Sequence, residues 1–192
     1  MRKIIQWVLT SADGYVCGPN GEFDWAPLTP EMAEYSDGLH ERIDTFLYGR
    51  GVWEMFANYW PEVPSDPDAD DRARRFAKLW METPKVVFSR TLKEVDGNAR
   101  LISDNIAEEV AALKEQPGKD MLITGGSALP ASLTALGLID EYHVAIHPIV
   151  LGGGKPLFGK QDRIKLRMLD TRTVDSQVVI VHYEPTRDSS AG

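Results

Sequence analysis

Thiol chemistry is almost absent from this chain, because Cys17 is the only cysteine among its 192 residues. An internal disulfide needs two cysteines and a thiolate zinc cluster needs several, so both are excluded. No apolar run approaches the roughly 20 residues that span a bilayer, and polar residues follow the N-terminal apolar run too soon for a signal peptide. These absences predict a cytoplasmic protein without a membrane segment.

Positive charge is also scarce, since 21 lysines and arginines face 29 aspartates and glutamates and leave a net charge of −8. This balance argues against nucleic acid as a partner, although it permits a local basic pocket. A hydrophobic content of 43% and a charged content of 26% are typical of a globular protein. The length suits one core, so we expect a single domain over residues 1–185 and a disordered polar tail over 186–192.

Several familiar sites are missing as well. The G-x-G-x-x-G fingerprint of dinucleotide-binding folds is not completed at any early strand, and the glycines at 152–154 do not make a P-loop because Pro156 replaces its Ser/Thr. His143 and His147 would share one face of a strand, yet they stand too far apart to ligate one metal without a third ligand between them. We therefore expect no metal and predict paired or solvated histidines.

The pattern that is present alternates apolar strand-like runs with helical periodicity and ends in a strand-rich segment. It predicts a three-layer α/β fold with flanking helices and a mostly parallel central sheet that has an antiparallel C-terminal edge. The predicted strands are 3–10, 44–48, 84–88, 99–102, 121–124, 142–151, 163–169 and 174–183, and the predicted helices begin near 29, 52, 70, 103 and 127. Residues 61–71 should form an exposed excursion, and the arginines of the 70–81 helix a solvated face.

Three predicted strands end in turns that suit phosphate groups. Residues 125–127 (GGS) open into a helix, whose N-terminal amides can bind an anion, and residues 49–51 (GRG) repeat the arrangement with an arginine. Residues 89–91 (SRT) combine two hydroxyls with one guanidinium, which suits the 2′-phosphate of NADPH. Each turn also has a simpler interpretation, as a tight strand-to-helix connection, a solvated loop arginine or a capped turn.

The loop at residues 18–27 carries two aromatic and two acidic side chains. Loops beside strand ends frequently carry function on a rigid scaffold, so Asp24 and Trp25 are candidates for a substrate pocket. The alternative is that Phe23 and Trp25 cover an edge of the core. Residues 29–31 (TPE) then read as a capped helix start, which places Glu31 in the first helical turn.

Four motifs together resemble the dihydrofolate reductase-like superfamily, and within it the C-terminal reductase domain of the bifunctional riboflavin-biosynthesis deaminase-reductase. They are SADGYV at 11–16, GRGVW at 49–53, FSRT at 88–91, and ITGGS at 123–127 followed by PIVLGGGKPLF at 148–158. The resemblance covers almost the whole chain, and its last motif is the most specific. No deaminase zinc motif is present, so the partner activity of the bifunctional enzyme is missing from this chain.

The resemblance implies an NADPH-dependent reductase acting on a ribosylaminopyrimidine, as 5-amino-6-(5-phosphoribosylamino)uracil reductase does, or on a related heterocycle. The cofactor would lie across the carboxyl ends of the strands, with pyrophosphate, 2′-phosphate and nicotinamide regions in that edge. The implied cofactor-binding residues are Leu9, Thr10, Ala12, Val16, Gly49, Arg50, Gly51, Val52, Ser89, Arg90, Thr91, Thr124, Gly125, Gly126 and Ser127. Val52 departs from the family, because a threonine is usual at its position.

The catalytic acid is less well placed by the resemblance. Glu31 follows Trp25 near the place of the acid that protonates dihydrofolate, without matching spacing, and Asp24 is the second candidate. Two other functions stay open, a dihydrofolate reductase and a non-catalytic nucleotide-binding protein. We also expect a homodimer that pairs through the apolar 142–151 segment and the glycines after it.

Overall fold

The computed structural model of the protein describes residues 1–186. Its strands are β1 (Ile4–Ser11), β2 (Tyr15–Cys17), β3 (Ile43–Gly49), β4 (Lys85–Phe88), β5 (Ala99–Ile102), β6 (Asp120–Thr124), β7 (Glu141–His147), β8 (Lys155–Pro156), β9 (Leu166–Val174) and β10 (Val178–Pro185). Its α-helices are α1 (Pro30–Arg42), α2 (Arg50–Tyr59), α3 (Asp71–Glu82), α4 (Ile106–Glu115) and α5 (Ala128–Ala135). The predicted disordered tail lies, apart from Thr186, outside the described residues.

Eight strands form one central sheet in the order β5-β4-β3-β6-β1-β7-β10-β9. The six strands from β5 to β7 are parallel, whereas β10 is antiparallel to β7 and β9 is antiparallel to β10. The predicted mostly parallel sheet with an antiparallel C-terminal edge is therefore confirmed. Among the described residues, no helix is both long enough and apolar enough to cross a bilayer.

Helices cover both faces of this sheet and create two apolar cores. Met32 of α1, Trp53 of α2 and Trp80 of α3 pack on one face, which we call the α1 face. Val110 of α4 and Leu133 of α5 pack on the other, the α5 face. Central parallel strands are buried on both sides, which explains why β1 reads as a nearly continuous apolar run rather than as an alternating one.

Local signals explain where the helices begin. The Thr29 hydroxyl accepts the amide of Met32 at 3.3 Å and Pro30 occupies the first turn, as predicted for α1. Asp70 caps α3 by accepting the amide of Ala73 at 2.7 Å. The start of α4 differs from the prediction, since the helix begins at Ile106 rather than near 103. Asn105 precedes it in a left-handed conformation, and its side chain makes no capping hydrogen bond.

Three strand predictions were wrong in their boundaries. The 142–151 strand ends at His147, because Pro148 has no amide for the ladder and the amide of Ile149 turns back to the His147 carbonyl at 2.8 Å. β7 also lies between β1 and β10, so both of its edges are paired inside the central sheet. The C-terminal strands begin and end later than expected, around a tight turn in which Asp175 and Ser176 have positive φ.

The excursion at residues 61–71 is fastened to α3. It contains a short 3₁₀ turn, Val63–Ser65, and Val63 is buried. Arg74 donates to the carbonyls of Pro64, Asp66 and Ala69 at 2.7–3.3 Å, so the expectation that the arginines of this helix are merely solvated was wrong for Arg74. Backbone carbonyls of an irregular loop need donors, and this guanidinium supplies them.

Candidate functional site

The carboxyl ends of the parallel strands lie at one edge of the sheet, and the chain leaves that edge in two directions. From β3 it continues through α2 and α3 on the α1 face toward β4, whereas from β6 it continues through α5 on the opposite face toward β7. Since β3 and β6 are neighbours, the crevice between their carboxyl ends is a topological switch point. Open α/β sheets bind ligands in such crevices.

The two glycine turns predicted from the sequence flank this crevice and contact each other. A Cβ built on Gly126 would meet Val52 Cγ2 at 3.0 Å, and one built on Gly49 would meet Leu129 of α5 at 3.4 Å. Gly125 and Gly126 have φ of +69° and +74°, which favours glycine at both positions. The turn after β6 therefore contacts the start of α2 most closely at Gly126, and the end of β3 contacts α5 at Gly49.

The same turns leave space for a ligand. A Cβ on Gly51 or Gly125 would meet nothing within 4 Å, so the backbone there is open to an approaching group. The Thr124 hydroxyl, at the end of β6, is buried and has no hydrogen-bond partner among residues 1–186. Ser127 makes no side-chain capping bond at the start of α5, so the first-turn amides keep their anion-binding capacity. These features fit a pyrophosphate.

The third turn joins this site through Arg50. Its guanidinium donates to the Thr91 hydroxyl at 3.1 Å, so the turns after β3 and β4 lie together. Ser89 accepts the amides of Thr91 and Leu92 at 3.2 and 3.0 Å, which makes it the cap of its own turn. Arg90 is exposed at the same edge. Arg50 also lies 3.9 Å from Glu54, an exposed pair worth little in free energy.

The residues expected around a nicotinamide ring lie at the end of β1, but not on one surface. Leu9 packs with the α1-face core, whereas Thr10 and Ala12 line a cleft of about 590 Å³ on the α5 face, together with Val144 and Phe158. This follows from the alternation of side chains along a strand. Val16 is buried in the α5-face core.

The first and the last of the four motifs are joined beside the end of β1. Asp13 accepts the amides of Leu151 and Gly152 at 3.1 and 2.8 Å, and β2 pairs with β8 in a separate two-stranded sheet. A hydrogen bond from the Ser11 hydroxyl and these amides hold the pKa of Asp13 below its usual value. Gly154 packs directly against the carbonyl of Cys17, so the glycine segment at 152–154 lies against the end of β2.

The catalytic and substrate candidates have three different environments. Asp24 is exposed. Trp25 is half-buried and packs edge to face on His147 with ring centroids 5.5 Å apart, while Phe23 remains 53% exposed. The carboxylate of Glu31 accepts the amide of Asp175 at 2.8 Å and thereby ties the start of α1 to the β9–β10 turn.

His147 is a candidate that sequence reasoning missed. It is the last residue of β7, lies opposite Ser11 of β1, and is 4% exposed. Its Nε2 atom is buried and has no hydrogen-bond partner among the described residues, so this nitrogen is neither paired nor solvated, unlike the prediction for the histidines. Burial lowers the pKa of His147, and the charge of Asp175 partly opposes this shift.

His143 is paired, as expected, in a cluster at the other end of β7. Glu141 accepts hydrogen bonds from Lys3 and Arg42 at 2.8 Å, and its carboxylate lies 3.2–3.3 Å from His143 and His182. Burial would raise the pKa of Glu141, but the hydrogen bonds from His143, Lys3 and Arg42 outweigh burial and hold that pKa well below its usual range.

Glu141, His143 and His182 offer three ligand atoms within 4.8 Å of one another. Two cations already neutralise the carboxylate, however, and the cluster lies at the opposite end of β7 from the glycine turns. We therefore describe the cluster as structural: it joins the N-terminal segment, the end of α1 and β10.

The strand order, the flanking helices and the switch-point crevice define a dihydrofolate reductase-like fold. Consistent with this, a dihydrofolate reductase from Enterococcus faecalis, solved with NADP(H), superposes with a TM-score of 0.64 over 96% of this chain and 97% of that chain, at 14% identity.

Within that fold the chain belongs to the RibD C-terminal domain family, which matches residues 2–180. The uncharacterized protein YyaP of Bacillus subtilis (strain 168) is 44% identical over 183 residues, covering 95% of this chain and 94% of YyaP. A Thermotoga maritima diaminohydroxyphosphoribosylaminopyrimidine deaminase/5-amino-6-(5-phosphoribosylamino)uracil reductase superposes with a TM-score of 0.67 at 15% identity, over 96% of this chain and 57% of that chain.

Proposed function

We propose that this protein is an NADPH-dependent oxidoreductase that reduces a pyrimidine or related heterocycle. The observation that carries the proposal is the convergence of three turns, after β3, β4 and β6, at the switch-point crevice, with open backbone at Gly51 and Gly125. Membership of a reductase domain family supports the same conclusion. Bound NADPH would supply the hydride, and the protein would supply binding, orientation and a proton.

The cofactor would be held mainly by backbone amides and fixed charge. The amides at the start of α2 and α5 would bind the pyrophosphate, because each helix N-terminus carries unpaired donors and a partial positive charge. Arg50, already positioned by Thr91, would add a guanidinium. Arg90, exposed beside Ser89, would pair with the 2′-phosphate and so distinguish NADPH from NADH.

The proton would come from a carboxyl group near the loop of Trp25. Glu31 is anchored by the Asp175 amide, and Asp24 is exposed beside Trp25. Glu31→Gln and Asp24→Asn each remove one candidate with little change in shape. A proton donor acts only while it is protonated, so its titration makes activity fall as pH rises. The variant that lowers kcat and removes this alkaline limb of the pH profile, with NADPH affinity unchanged, identifies the donor.

The cofactor assignment is tested by titrating the protein with NADPH and NADH while following nucleotide fluorescence. Arg90→Ala should weaken NADPH binding about tenfold or more and leave NADH unchanged, because a charge-assisted pair to the 2′-phosphate is lost. Arg50→Ala should weaken both nucleotides. Arg75→Ala, an exposed arginine on α3, is the matched control and should change neither.

Failure of both nucleotides to bind would overturn the cofactor assignment for all three turns at once. NADPH oxidation measured with 5-amino-6-(5-phosphoribosylamino)uracil and, separately, with dihydrofolate then distinguishes the reductases. Turnover of dihydrofolate alone would contradict the pyrimidine assignment, and tight NADPH binding without oxidation by either compound would favour a nucleotide-binding protein. We also propose a cytoplasmic homodimer without a nucleic-acid partner; a light-scattering mass near one chain would contradict the dimer.

A further inference from the structure

Two aromatic rings that contact each other each carry a buried polar atom that has no hydrogen-bond partner among residues 1–186. The two atoms are Nε2 of His147 and Nε1 of Trp25, and the rings meet edge to face with centroids 5.5 Å apart and planes at 82°. His147 is 4% exposed, so its unpartnered atom is not compensated by bulk solvent. Native proteins rarely leave such atoms together unless a ligand or an ordered water completes them.

The position of the pair connects it to the proposed site. His147 ends β7 opposite Ser11 of β1, and these strands are parallel, so it lies at the same edge of the sheet as the three cofactor turns. Trp25 belongs to the loop at residues 18–29, which contains neither helix nor strand. Its hydrogen bonds near the tip are local, between Gly18 or Asn20 and Glu22, and none of them belongs to the central sheet. Admission of a ligand at Trp25 would therefore require a shift of this loop but no change in the sheet.

The chemistry of the two atoms is specific. An indole Nε1–H can only donate a hydrogen bond, whereas a neutral imidazole accepts at one nitrogen and donates at the other. Burial lowers the pKa of His147 and favours the neutral ring, despite the opposing charge of Asp175 in the β9–β10 turn; the acids Asp24 and Glu31 lie on the loop and on the first turn of α1. In the tautomer that carries the proton on Nδ1, Nε2 is an acceptor, and the two contacting rings then offer one donor and one acceptor.

We infer that His147 and Trp25 form a subsite that reads a lactam edge, a ring carbonyl next to a ring N–H. The carbonyl accepts from Trp25 Nε1, and the ring N–H donates to His147 Nε2. Uracil-type and pterin-type rings both carry this edge, whereas an N-methylated ring does not. The inference rests on the proposed function for its role in catalysis, but binding of the ring can be measured without NADPH.

The test measures binding of 5-amino-6-(5-phosphoribosylamino)uracil and of its N3-methyl analogue by calorimetry, without cofactor. Trp25→Phe keeps the aromatic wall and removes the donor, so affinity should fall about tenfold, as expected for one hydrogen bond. His147→Leu should fall by a similar factor, and His147→Gln should restore part of the loss because its amide reaches the position of Nε2. NADPH affinity should stay unchanged in all three variants.

The methylated analogue provides the decisive comparison. The wild type should bind this analogue about tenfold more weakly than the parent ring, whereas His147→Leu should bind the two rings equally. This pattern is the signature of a direct contact in a double-substitution cycle. Nitrogen-15 spectra should show His147 Nε2 unprotonated and shifted by the ring. Equal binding of both rings to all variants would overturn the subsite and assign the buried atoms to ordered water. Absence of NADPH binding alone would instead refute the proposed function.

Discussion

Gly126 offers the sharpest test of how the glycine turn after β6 is built. Its φ of +74° is costly for alanine, and an added Cβ would meet Val52 Cγ2 at 3.0 Å. Two other glycines separate these effects. Gly125 has φ of +69° with nothing within 4 Å of its Cβ position, and Gly137, in the turn after α5, has φ of +66° and the same free space.

The expected magnitudes follow from that geometry. Left-handed backbone costs an L-residue about 1–2 kcal/mol, so Gly125→Ala and Gly137→Ala should each destabilise the fold by about 1 kcal/mol. Gly126→Ala carries the same cost plus a contact that Val52 cannot easily relieve, because a β-branched side chain on a helix has one strongly preferred rotamer. We expect about 1 kcal/mol more from this overpacking.

Urea unfolding and NADPH titration of the three variants give the assay. With a slope near 2 kcal/mol/M, Gly126→Ala should lower the urea midpoint about 0.5 M further than Gly125→Ala, and adding Val52→Ala should remove that difference. Gly125→Ala should weaken NADPH binding, since its methyl occupies the open space of the turn, whereas Gly137→Ala should not. Equal midpoints for Gly126→Ala and Gly137→Ala would refute the Val52 contact, and unchanged NADPH affinity in Gly125→Ala would refute the position of the pyrophosphate.

Two further predictions concern buried ionisable groups. Glu141→Gln should destabilise the fold by about 3 kcal/mol at pH 7 by leaving Arg42 and the histidines without their carboxylate. Because the folded-state pKa of Glu141 is depressed, its contribution is present above the unfolded value near 4.5 and is lost as pH falls below that value. The difference between wild type and variant in urea midpoint should therefore shrink from about pH 5 to about pH 3, and a constant difference would contradict the charge. Burial lowers the pKa of Lys85 from its ordinary value of 10.5 to about 8, so between these two pH values the unfolded chain binds more protons than the folded chain. The free energy of unfolding should therefore rise with pH in that window in the wild type but not in Lys85→Met. Thermal melts at about pH 7.5 and about pH 10 would show this difference.

The sequence predicts most of the fold because most of its signals are local. Apolar runs, capping residues and glycine turns locate β1, α1 and the turns after β3 and β6 without reference to distant parts of the chain. The β2–β8 pair was missed because three residues at Tyr15–Cys17 bond two residues at Lys155–Pro156, far away in sequence. A pairing so short and so distant has no periodic signature.

The site shows the same limit. Strand order alone predicts that residues at several strand ends share an edge, so the convergence of Arg50 with Thr91 follows once the parallel sheet is inferred. The unpartnered state of His147 does not follow from sequence, because it depends on which side chains fail to reach a buried atom. Likewise, nothing in the sequence around Glu31 indicates that its carboxylate binds the Asp175 amide.

A chain with a net charge of −8 can bind a polyphosphate cofactor only if the local field differs from the global one. At physiological ionic strength, exposed charges more than about 8 Å apart are largely screened from one another, so distant acids weigh little at the crevice. At the crevice, Arg50 contacts the turn after β4 through Thr91, and the start of α2 contacts the turn before α5 through Val52 and Gly126. These contacts position the donors before any ligand binds. The packing of Val52 on Gly126 therefore has an electrostatic consequence as well as a steric one, because it holds the positive ends of the α2 and α5 helix dipoles beside the same crevice.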